Sequence, residues 1–376
     1  MCALVDLSSR ERSEETVSRK AVNVTGSGNK LPAENVHCEM MKAKILLVLA
    51  LMLGALAARC DDSKPSAQEY GSTALKLTVE TMLYDWRDAK RDRIVPAKIY
   101  YPKTGNGPFP VVIFSHGLGG TREGYEYLGR DWASHGYVSV HLQHAGSDDG
   151  VWRDAWLGDK MGAMRRAAAN PANAINRPLD VSFAIDQLEK LNKEKSPLQK
   201  KLDLDRIGVA GHSFGAYTAL AVAGETFLPR SEKEAALADP RVKAAIPMSS
   251  PVAANKRRLE AAFAKIKIPC FHMTGTKDTS PIGDTEPEER RLPFDHSNGS
   301  DQFLTIFKDG DHMIFSGRGR LLSNRQDEVF QKHISASSTA FWDAYLKGNT
   351  KAKAWLTNDF KPVLGKDGTF EMKLKK

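Results

Sequence analysis

The stretch "RIGVAGHSFGAYTALAVAG", Arg206 to Gly224, decides how this 376-residue chain is interpreted. An apolar run typical of a buried strand leads into the pattern G-x-S-x-G at Ser213, and a run of small residues typical of a helix follows. A serine at such a strand-to-helix turn occupies a sharp, strained position, and Gly211 and Gly215 let the backbone pack closely around it. Ser213 is therefore either a nucleophile or a small residue of a structural turn, and the flanking strand and helix favour the nucleophile.

Strands and helices alternate over the rest of the chain. Two antiparallel strands are predicted at "LKLTVETMLYDW" and "RIVPAKIYYP", and central strands at "VVIFSH", "YVSVHLQH", "DRIGVAGHS", "RVKAAIPMSS", "IPCFHMTG" and "QFLTIFKDGDH". Helices are predicted over residues 123–136, 176–194, 255–265 and 326–347. This alternation predicts an α/β fold with a mostly parallel central sheet and helices on both faces, with ligands bound beyond the carboxyl ends of the strands.

Composition excludes some classes of protein. The formal charge of +8 favours contact with acidic surfaces such as anionic lipid head groups. No basic stripe interleaved with aromatic residues is present, which disfavours nucleic-acid binding. The four cysteines have no C-x-x-C spacing, which disfavours a structural zinc site. We predict no cofactor and no metal, and the sequence leaves the oligomeric state open.

The amino-terminal region has the composition of a processed segment. Residues 1–39 are polar and aperiodic, and we interpret them as disordered or as an extension from a mis-called start, with Met40 or Met41 as the true first residue. Residues 40–59 resemble a secretory signal peptide, with a positive flank, an apolar run of 14 residues over 45–58 and a small-residue A-x-A pattern. A buried core helix is the alternative.

The predicted domain layout follows from that signal. Residues 60–72 would form a linker and residues 73–376 one α/β domain. The predicted localisation is export, either secreted or periplasmic. Cys60 lies where a bacterial lipoprotein carries its lipidated cysteine, although Arg59 replaces the usual small residue before it. A lipid anchor at Cys60 is therefore an alternative to plain export.

A nucleophilic serine needs a base and an acid that orients the base. Asp278 follows the strand that ends in "MTGTKDTSPIG", and His312 follows the strand that ends in "FKDGDHMIF". The order Ser213, Asp278, His312 is the triad order of hydrolases with a nucleophile elbow. We predict attack by Ser213, proton transfer by His312 and orientation of His312 by Asp278. The alternatives are a turn aspartate and a loop histidine.

The loop "SHGLGGTRE", which starts at Ser115, is the predicted oxyanion site. Backbone N–H groups of Leu118 and Phe214 would donate to the oxyanion. His116 and Gly117 are predicted near the substrate, with His116 bracing the loop as the alternative.

Two further segments lie near the predicted site. Trp152 and Trp156 would line an acyl pocket or a lipid-facing surface, with lid packing as the alternative. "HLQHAGSDDG", over residues 141–150, could hold a metal, but the spacing favours polar residues at the rim of the site.

Three stretches resemble a known family: "VVIFSHGLGGTREGYEYLGRDWASHGYVSV", "NRPLDVSFAIDQL" and "RIGVAGHSFGAYTAL". With them the chain resembles the α/β-hydrolase superfamily, and within it the bacterial relatives of platelet-activating factor acetylhydrolase that are also described as predicted dienelactone hydrolases. The resemblance runs from about residue 75 to residue 350. It implies hydrolysis of short or oxidised acyl esters without calcium, with Leu118 and Phe214 as the oxyanion hole.

One position departs from that family. The resemblance places the acid of the acetylhydrolases after the strand that reads "AAIPMSSP" here, where Ser249 and Ser250 stand. Asp278 corresponds instead to the acid of dienelactone and polyester hydrolases, and the former use a cysteine nucleophile. We expect a serine esterase that cleaves short-chain or lipid-like esters through an acyl-enzyme and contacts a membrane surface. Phospholipase A2-type acetylhydrolase activity, polyester hydrolysis and a non-catalytic binding protein are the alternatives.

Overall fold

A computed structural model describes residues 70–71, 76–226, 237–252, 258–280, 282–317 and 325–375. The chain divides into a unit Met1–Ser63 and a unit Lys64–Lys376, and all described residues belong to the second. The predicted extension over residues 1–39, the predicted signal peptide over residues 40–59 and Cys60 lie outside the described residues.

A single sheet organises the part of the chain that the structure describes. Its nine strands are β1 (Val79–Asp88), β2 (Arg93–Pro102), β3 (Phe109–Ser115), β4 (Val138–Leu142), β5 (Leu202–His212), β6 (Val242–Met248), β7 (Cys270–Lys277), β8 (Gln302–Asp311) and β9 (Gly368–Lys373). They lie side by side in the order β1-β2-β4-β3-β5-β6-β7-β8-β9. The neighbours from β4 to β8 pair in parallel, whereas β1–β2, β2–β4 and β8–β9 are antiparallel. The predicted mostly parallel sheet is confirmed.

Helices connect most of these strands. Within the described ranges they are α1 (Glu126–Ser134), α2 (Gly150–Arg153), α3 (Lys160–Ala169), α4 (Pro171–Lys193), α5 (Phe214–Ala223), α6 (Leu259–Phe263), α7 (Leu292–His296), α8 (Arg325–Tyr345), α9 (Thr350–Ala354) and α10 (Phe360–Leu364). A 3₁₀ turn spans Pro287–Arg291.

Two hydrophobic cores lie on opposite faces of the sheet. Every residue of β3 is buried. Val111 and Ile113 belong to one core and Val112 and Phe114 to the other, because successive side chains of a strand point to opposite faces. One core takes Val181, Ala184, Ile185 and Leu188 from α4. The other takes Leu128 and Trp132 from α1 and Phe330, Ile334 and Phe341 from α8. Helices therefore cover both faces, as the sequence predicted.

The structure differs from the sequence prediction at the ends of elements. The helix predicted over residues 176–194 begins earlier, at Pro171, because the side chain of Asn170 accepts from the N–H of Ala172 (3.0 Å) and proline suits the first turn. The strand β9 was not predicted. Its sequence "GTFEMK" is short and charged, and it pairs only with β8 at one edge. None of the helices in the described ranges is long and apolar enough to cross a bilayer.

Buried histidines make the stability of this fold sensitive to acid. His141, His144 and His272 are buried, and this burial lowers the pKa of each to about 4 from 6.5. Below pH 6.5 the unfolded chain binds protons that the folded chain does not bind until about pH 4. The unfolding free energy is therefore expected to fall as the pH decreases through this window, by about 1.4 kcal/mol per pH unit and histidine.

Urea unfolding at several pH values between 4 and 7.5 checks this expectation. In the His272→Gln variant, the unfolding free energy should change less with pH, because one of the three histidines no longer contributes. An unfolding free energy that stays constant or increases toward acid would contradict it.

Candidate active site

Ser213 lies at the turn between β5 and α5. Its backbone has φ 56° and ψ −118°, a conformation that L-residues rarely adopt. A Cβ on Gly215 would lie 1.9 Å from the carbonyl oxygen of Ser115, and a Cβ on Gly211 would lie 2.2 Å from that of Gly215. Only glycine fits at both positions, so the G-x-S-x-G pattern is a packing requirement of this turn, which presents Ser213 to a cavity.

Asp278 and His312 meet beyond the carboxyl ends of β7 and β8. His312 Nδ1 lies 2.7 Å from Asp278 Oδ1. Asp278 is fully buried, whereas His312 keeps 8% of its surface exposed and lines the same cavity as Ser213. Burial opposes ionisation of Asp278, but the hydrogen bond from His312 and the positive charge of Arg290 outweigh it and hold the pKa of Asp278 below its usual value. The three predicted residues therefore gather at one edge of the sheet.

The second carboxylate oxygen of Asp278 also has partners. Oδ2 accepts from the hydroxyl of Ser249 (2.5 Å) and from that of Thr274 (2.8 Å). Because β6 and β7 are parallel neighbours, the residue after β6 lies beside the residues that end β7. A carboxylate after either strand would reach this place, which explains how Asp278 can occupy it while Ser249 stands at the position where the resemblance expects the acid.

Arg290 holds together the segments that follow β6 and β7, and it was not identified from the sequence. Its guanidinium donates to the carbonyl oxygens of Asp278 (2.9 Å), Ser249 (2.7 Å) and Ser250 (3.0 Å). Its Nε also lies 3.1 Å from Asp278 Oδ1. Only 2% of the Arg290 surface is exposed. Its segment, "EPEERRLPF", reads as a charged surface turn, so no sequence signal identified it.

His212, the residue before Ser213, is a second feature that the sequence did not reveal. Its ring centroid lies 4.6 Å from that of His312, and its Nδ1 lies 2.8 Å from the hydroxyl of Tyr125. Burial, with the neighbouring charge of His312, holds the pKa of His212 well below its usual value. A neutral ring therefore packs against His312 without adding a positive charge.

The loop after β3 lies against Ser213. A Cβ on Gly117 would lie 3.3 Å from Ser213 Cβ, and Gly117 and Leu118 both line the cavity. The loop is held by a hydrogen bond from Gly119 N–H to the Ser147 carbonyl (2.9 Å). The N–H groups of Leu118 and Phe214 find no acceptor among the described residues. Two unpaired donors beside a serine are the arrangement that stabilises an oxyanion.

Arg177 connects this loop to α5, the helix that follows Ser213. Its guanidinium donates to the Thr218 hydroxyl of α5 (2.9 Å), to the Ser147 hydroxyl (2.9 Å) and to the His116 carbonyl. It also lies 4.6 Å from the ring centroid of Phe214. Arg177 is wholly buried, and it belongs to the stretch "NRPLDVSFAIDQL", whose role the sequence did not explain. Both candidate oxyanion donors are thus positioned by one side chain.

His116 is a bracing residue of the loop. It is buried, and its Nε2 accepts from the N–H of His144 (3.1 Å). The ring of His144 joins Asp180 (3.0 Å) to the Ser115 hydroxyl (3.0 Å). Ser115, His144 and Asp180 are of the same residue types as the predicted triad of Ser213, His312 and Asp278. All three are buried, however, and none lines the cavity.

The cavity beside Ser213 has a volume of about 720 Å³. Its described apolar lining includes Leu118, Trp152, Met161, Met164, Phe214, Tyr217 and Val252. Trp152 donates from its indole N–H to the Gly119 carbonyl (2.8 Å), which fixes its ring at the oxyanion loop. The structure does not bring Trp156 to this cavity, because its side chain points into solvent and is 82% exposed. Within the described ranges, no three His, Cys, Asp or Glu side chains converge as metal ligands would.

Comparisons with known proteins point to one family. Residues 90–157 match the model of platelet-activating factor acetylhydrolase, isoform II. The chain is 28% identical to the platelet-activating factor acetylhydrolases of Cavia porcellus over 154 residues and of Canis lupus familiaris over 156 residues. Each alignment covers 35% of this chain and 35% of the relative, so the chain matches about a third of the length of these relatives.

Residues 90–157 include the loop after β3 but end before Ser213, so the match does not bear on the predicted roles of Ser213, Asp278 and His312. The fold and these matches confirm the resemblance predicted from the motifs: the chain has an α/β-hydrolase fold and is similar, over about a third of its length, to the platelet-activating factor acetylhydrolases.

Proposed function

We propose that the protein is a serine hydrolase that cleaves carboxylic esters through an acyl-enzyme. One observation carries the proposal: Ser213, held in a strained turn, shares a cavity with His312, and His312 is hydrogen-bonded to the ionised Asp278. A serine hydroxyl is a weak nucleophile unless a base takes its proton, and a carboxylate must hold that base in the right tautomer.

The reaction would proceed in two halves. The Ser213 oxygen attacks the ester carbonyl carbon while His312 Nε2 takes its proton, and the N–H groups of Leu118 and Phe214 stabilise the oxyanion. The intermediate then breaks its C–O bond, and His312 returns the proton to the leaving alcohol. Water attacks the acyl-enzyme in the same way, which releases the carboxylic acid and restores the Ser213 hydroxyl.

The cavity supports a small or lipid-like ester. Its volume lies within the range of about 300–1,000 Å³ that is usual for small-molecule sites, and its lining is mostly apolar. Similarity to acetylhydrolases favours phospholipase A2-type activity as a second candidate. The use of Asp278 as the acid is compatible with this second candidate, because the Asp278 carboxylate lies beside Ser249, where the acid of the acetylhydrolases is expected. Polyester hydrolysis is a variant of the same chemistry.

Contact with a lipid surface is part of this proposal. Trp156 and Leu157 are more than 80% exposed, and Met161, which lines the cavity, is 49% exposed. Large apolar side chains in solvent beside a cavity are typical of a surface that meets lipid or another apolar partner. Export through the predicted signal peptide, with or without lipidation of Cys60, remains a prediction of the sequence.

A panel of p-nitrophenyl esters from acetate to palmitate, with a short-chain phosphatidylcholine, tests the proposal. We expect turnover of at least the shorter p-nitrophenyl esters without added metal, and its loss after treatment with a fluorophosphonate. Release of a fatty acid from the phospholipid would support the second candidate. Failure to hydrolyse any of these esters would instead favour a binding protein that keeps the fold without turnover.

A further inference from the structure

Glu225 lies just beyond the end of the helix that begins at the nucleophile. The N–H of Gly224 donates to the Ala221 carbonyl (3.2 Å), and the N–H of Glu225 donates to the Leu220 carbonyl (2.8 Å). Gly224 has φ 123°. This is the Schellman ending of a helix, in which the residue after the glycine usually carries an apolar side chain that packs back on the helix. Here that position carries a carboxyl group.

The Glu225 side chain belongs to the wall of the cavity that holds Ser213. Its Oε2 is shielded from solvent and has no hydrogen-bonding partner in the described part of the chain. A shielded carboxylate without a partner is costly, so the group favours its neutral form. Burial accordingly raises the pKa of Glu225 to about 8. The cavity therefore contains an acidic group that the fold leaves unsatisfied.

The charged and titratable groups around the cavity do not neutralise Glu225. The Tyr217 ring of α5 lines the same wall, and its hydroxyl donates to the Ala174 carbonyl (3.3 Å). Lys160 of α3 also lines the cavity, but its ammonium lies 5.4 Å from the Trp152 ring centroid. Among the residues that the structure describes, no ion pair joins Lys160 to Glu225, and burial is the cause of the raised pKa of Glu225. A free carboxyl beside an aromatic ring suits an alkylammonium group, which is attracted by both.

The helix α5 sets the distance from the nucleophile to this carboxyl. Its ten residues, at about 1.5 Å per residue, make it about 15 Å long. Ser213 directly precedes the helix and Glu225 follows it by two residues. A ligand that reaches both groups is therefore an extended chain with the ester near one end and the positive charge near the other.

We propose that Glu225 forms a cation subsite, in which its carboxylate pairs with an alkylammonium group of an ester whose carbonyl lies at Ser213. This inference rests on the proposed function of the same cavity, and it names the substrate class as esters with a positive charge remote from the scissile bond.

Matched pairs of substrates test the subsite. The probes are p-nitrophenyl esters of ω-trimethylammonio acids from hexanoate to dodecanoate, each compared with the neutral ester that ends in a tert-butyl group of the same shape. We expect the wild-type protein to prefer the cationic ester by about tenfold in kcat/KM at the best chain length, as one favourable ionic contact would give. Glu225→Gln should bring this ratio close to one, whereas Glu194→Gln, an exposed glutamate after α4, should keep it. An unchanged ratio in Glu225→Gln would overturn the proposal.

The pH dependence of the same ratio needs no variant. Only the ionised carboxylate pairs with a cation, so the preference for the cationic ester should increase as the pH rises through about 8 in the wild-type protein. Any effect of pH on the chemical step that both esters share cancels in the ratio. A ratio that is flat or decreases over this range would overturn the subsite.

The failure of this proposal is distinguishable from failure of the proposed function. Equal hydrolysis of both esters overturns the cation subsite alone, whereas hydrolysis of neither overturns the esterase assignment. In the second case, calorimetric binding of dodecyltrimethylammonium decides on the subsite: weaker binding by Glu225→Gln than by Glu194→Gln supports it, and equal binding overturns it.

Discussion

Ser213→Ala is expected to lower kcat/KM for p-nitrophenyl acetate by about 10⁴-fold or more, because the attacking oxygen is removed while the oxyanion donors remain. The fold should persist, since the Ser213 side chain makes no capping hydrogen bond and its N–H keeps its bond to the Met248 carbonyl (2.8 Å). Initial rates, together with circular dichroism spectra of the variant, measure both effects. Turnover near the wild-type rate would contradict the assignment of the nucleophile.

Ser213→Gly is the matched control for strain. Both variants lack the hydroxyl, but glycine adopts φ 56° without the strain that alanine retains. Relief of strain favours the folded glycine variant, whereas the larger entropy of its unfolded chain opposes folding. We expect the net result to be an unfolding free energy about 1 kcal/mol higher for the glycine variant than for the alanine variant. Urea unfolding of the two proteins measures this difference. An alanine variant that is the more stable one would show that the turn is relaxed.

Asp278→Asn is expected to lower kcat by about 10⁴-fold, since an amide neither stabilises the imidazolium of His312 nor holds its Nδ1 proton in the required tautomer. The change keeps the size of the side chain, and the expected loss follows from the 2.7 Å contact between Asp278 and His312. Steady-state rates with p-nitrophenyl esters measure it.

Ser249→Ala is the matched control that tests whether the acid is Asp278 and not the residue after β6. It removes one of two hydroxyls on Asp278 Oδ2 and leaves that of Thr274 in place. We expect a loss of about tenfold, the lower end of the range for one hydrogen bond to a charged group, because the Thr274 hydroxyl still donates to Asp278. Ser250→Ala should cost less again, because Ser250 offers Arg290 only its backbone carbonyl. Equal losses in Asp278→Asn and Ser249→Ala would show that Asp278 is not the acid.

Local patterns in the sequence were enough to predict eight of the nine strands of the sheet, all except β9. The fully apolar "VVIFSH" becomes β3 at the centre of the sheet, and the pattern around Ser213 becomes the turn between β5 and α5. The triad order could be predicted because each member follows its own strand, and parallel strands bring their carboxyl ends to one edge. These features depend on periodicity and glycine, which are visible along the chain.

The bracing residues could not be predicted because their partners are remote in sequence. Arg177 lies 61 residues from the His116 carbonyl to which it donates, and Arg290 contacts the carbonyls of Ser249 and Ser250, about 40 residues away. The shielding of Glu225 could not be predicted either, because the sequence does not show whether a glutamate is exposed or shielded from solvent. Only the folded structure, in which Glu225 lines the cavity, distinguishes the two cases.

Trapping the acyl-enzyme would show whether Ser213 attacks the ester carbonyl. The wild-type protein is mixed with p-nitrophenyl acetate and quenched in acid within the first turnovers, and its peptides are analysed by mass spectrometry. We expect one acetyl group on the peptide that contains Ser213, and no acetyl group on the corresponding peptide of Ser213→Ala. An acetyl group on another residue, or the same labelling in the alanine variant, would contradict it.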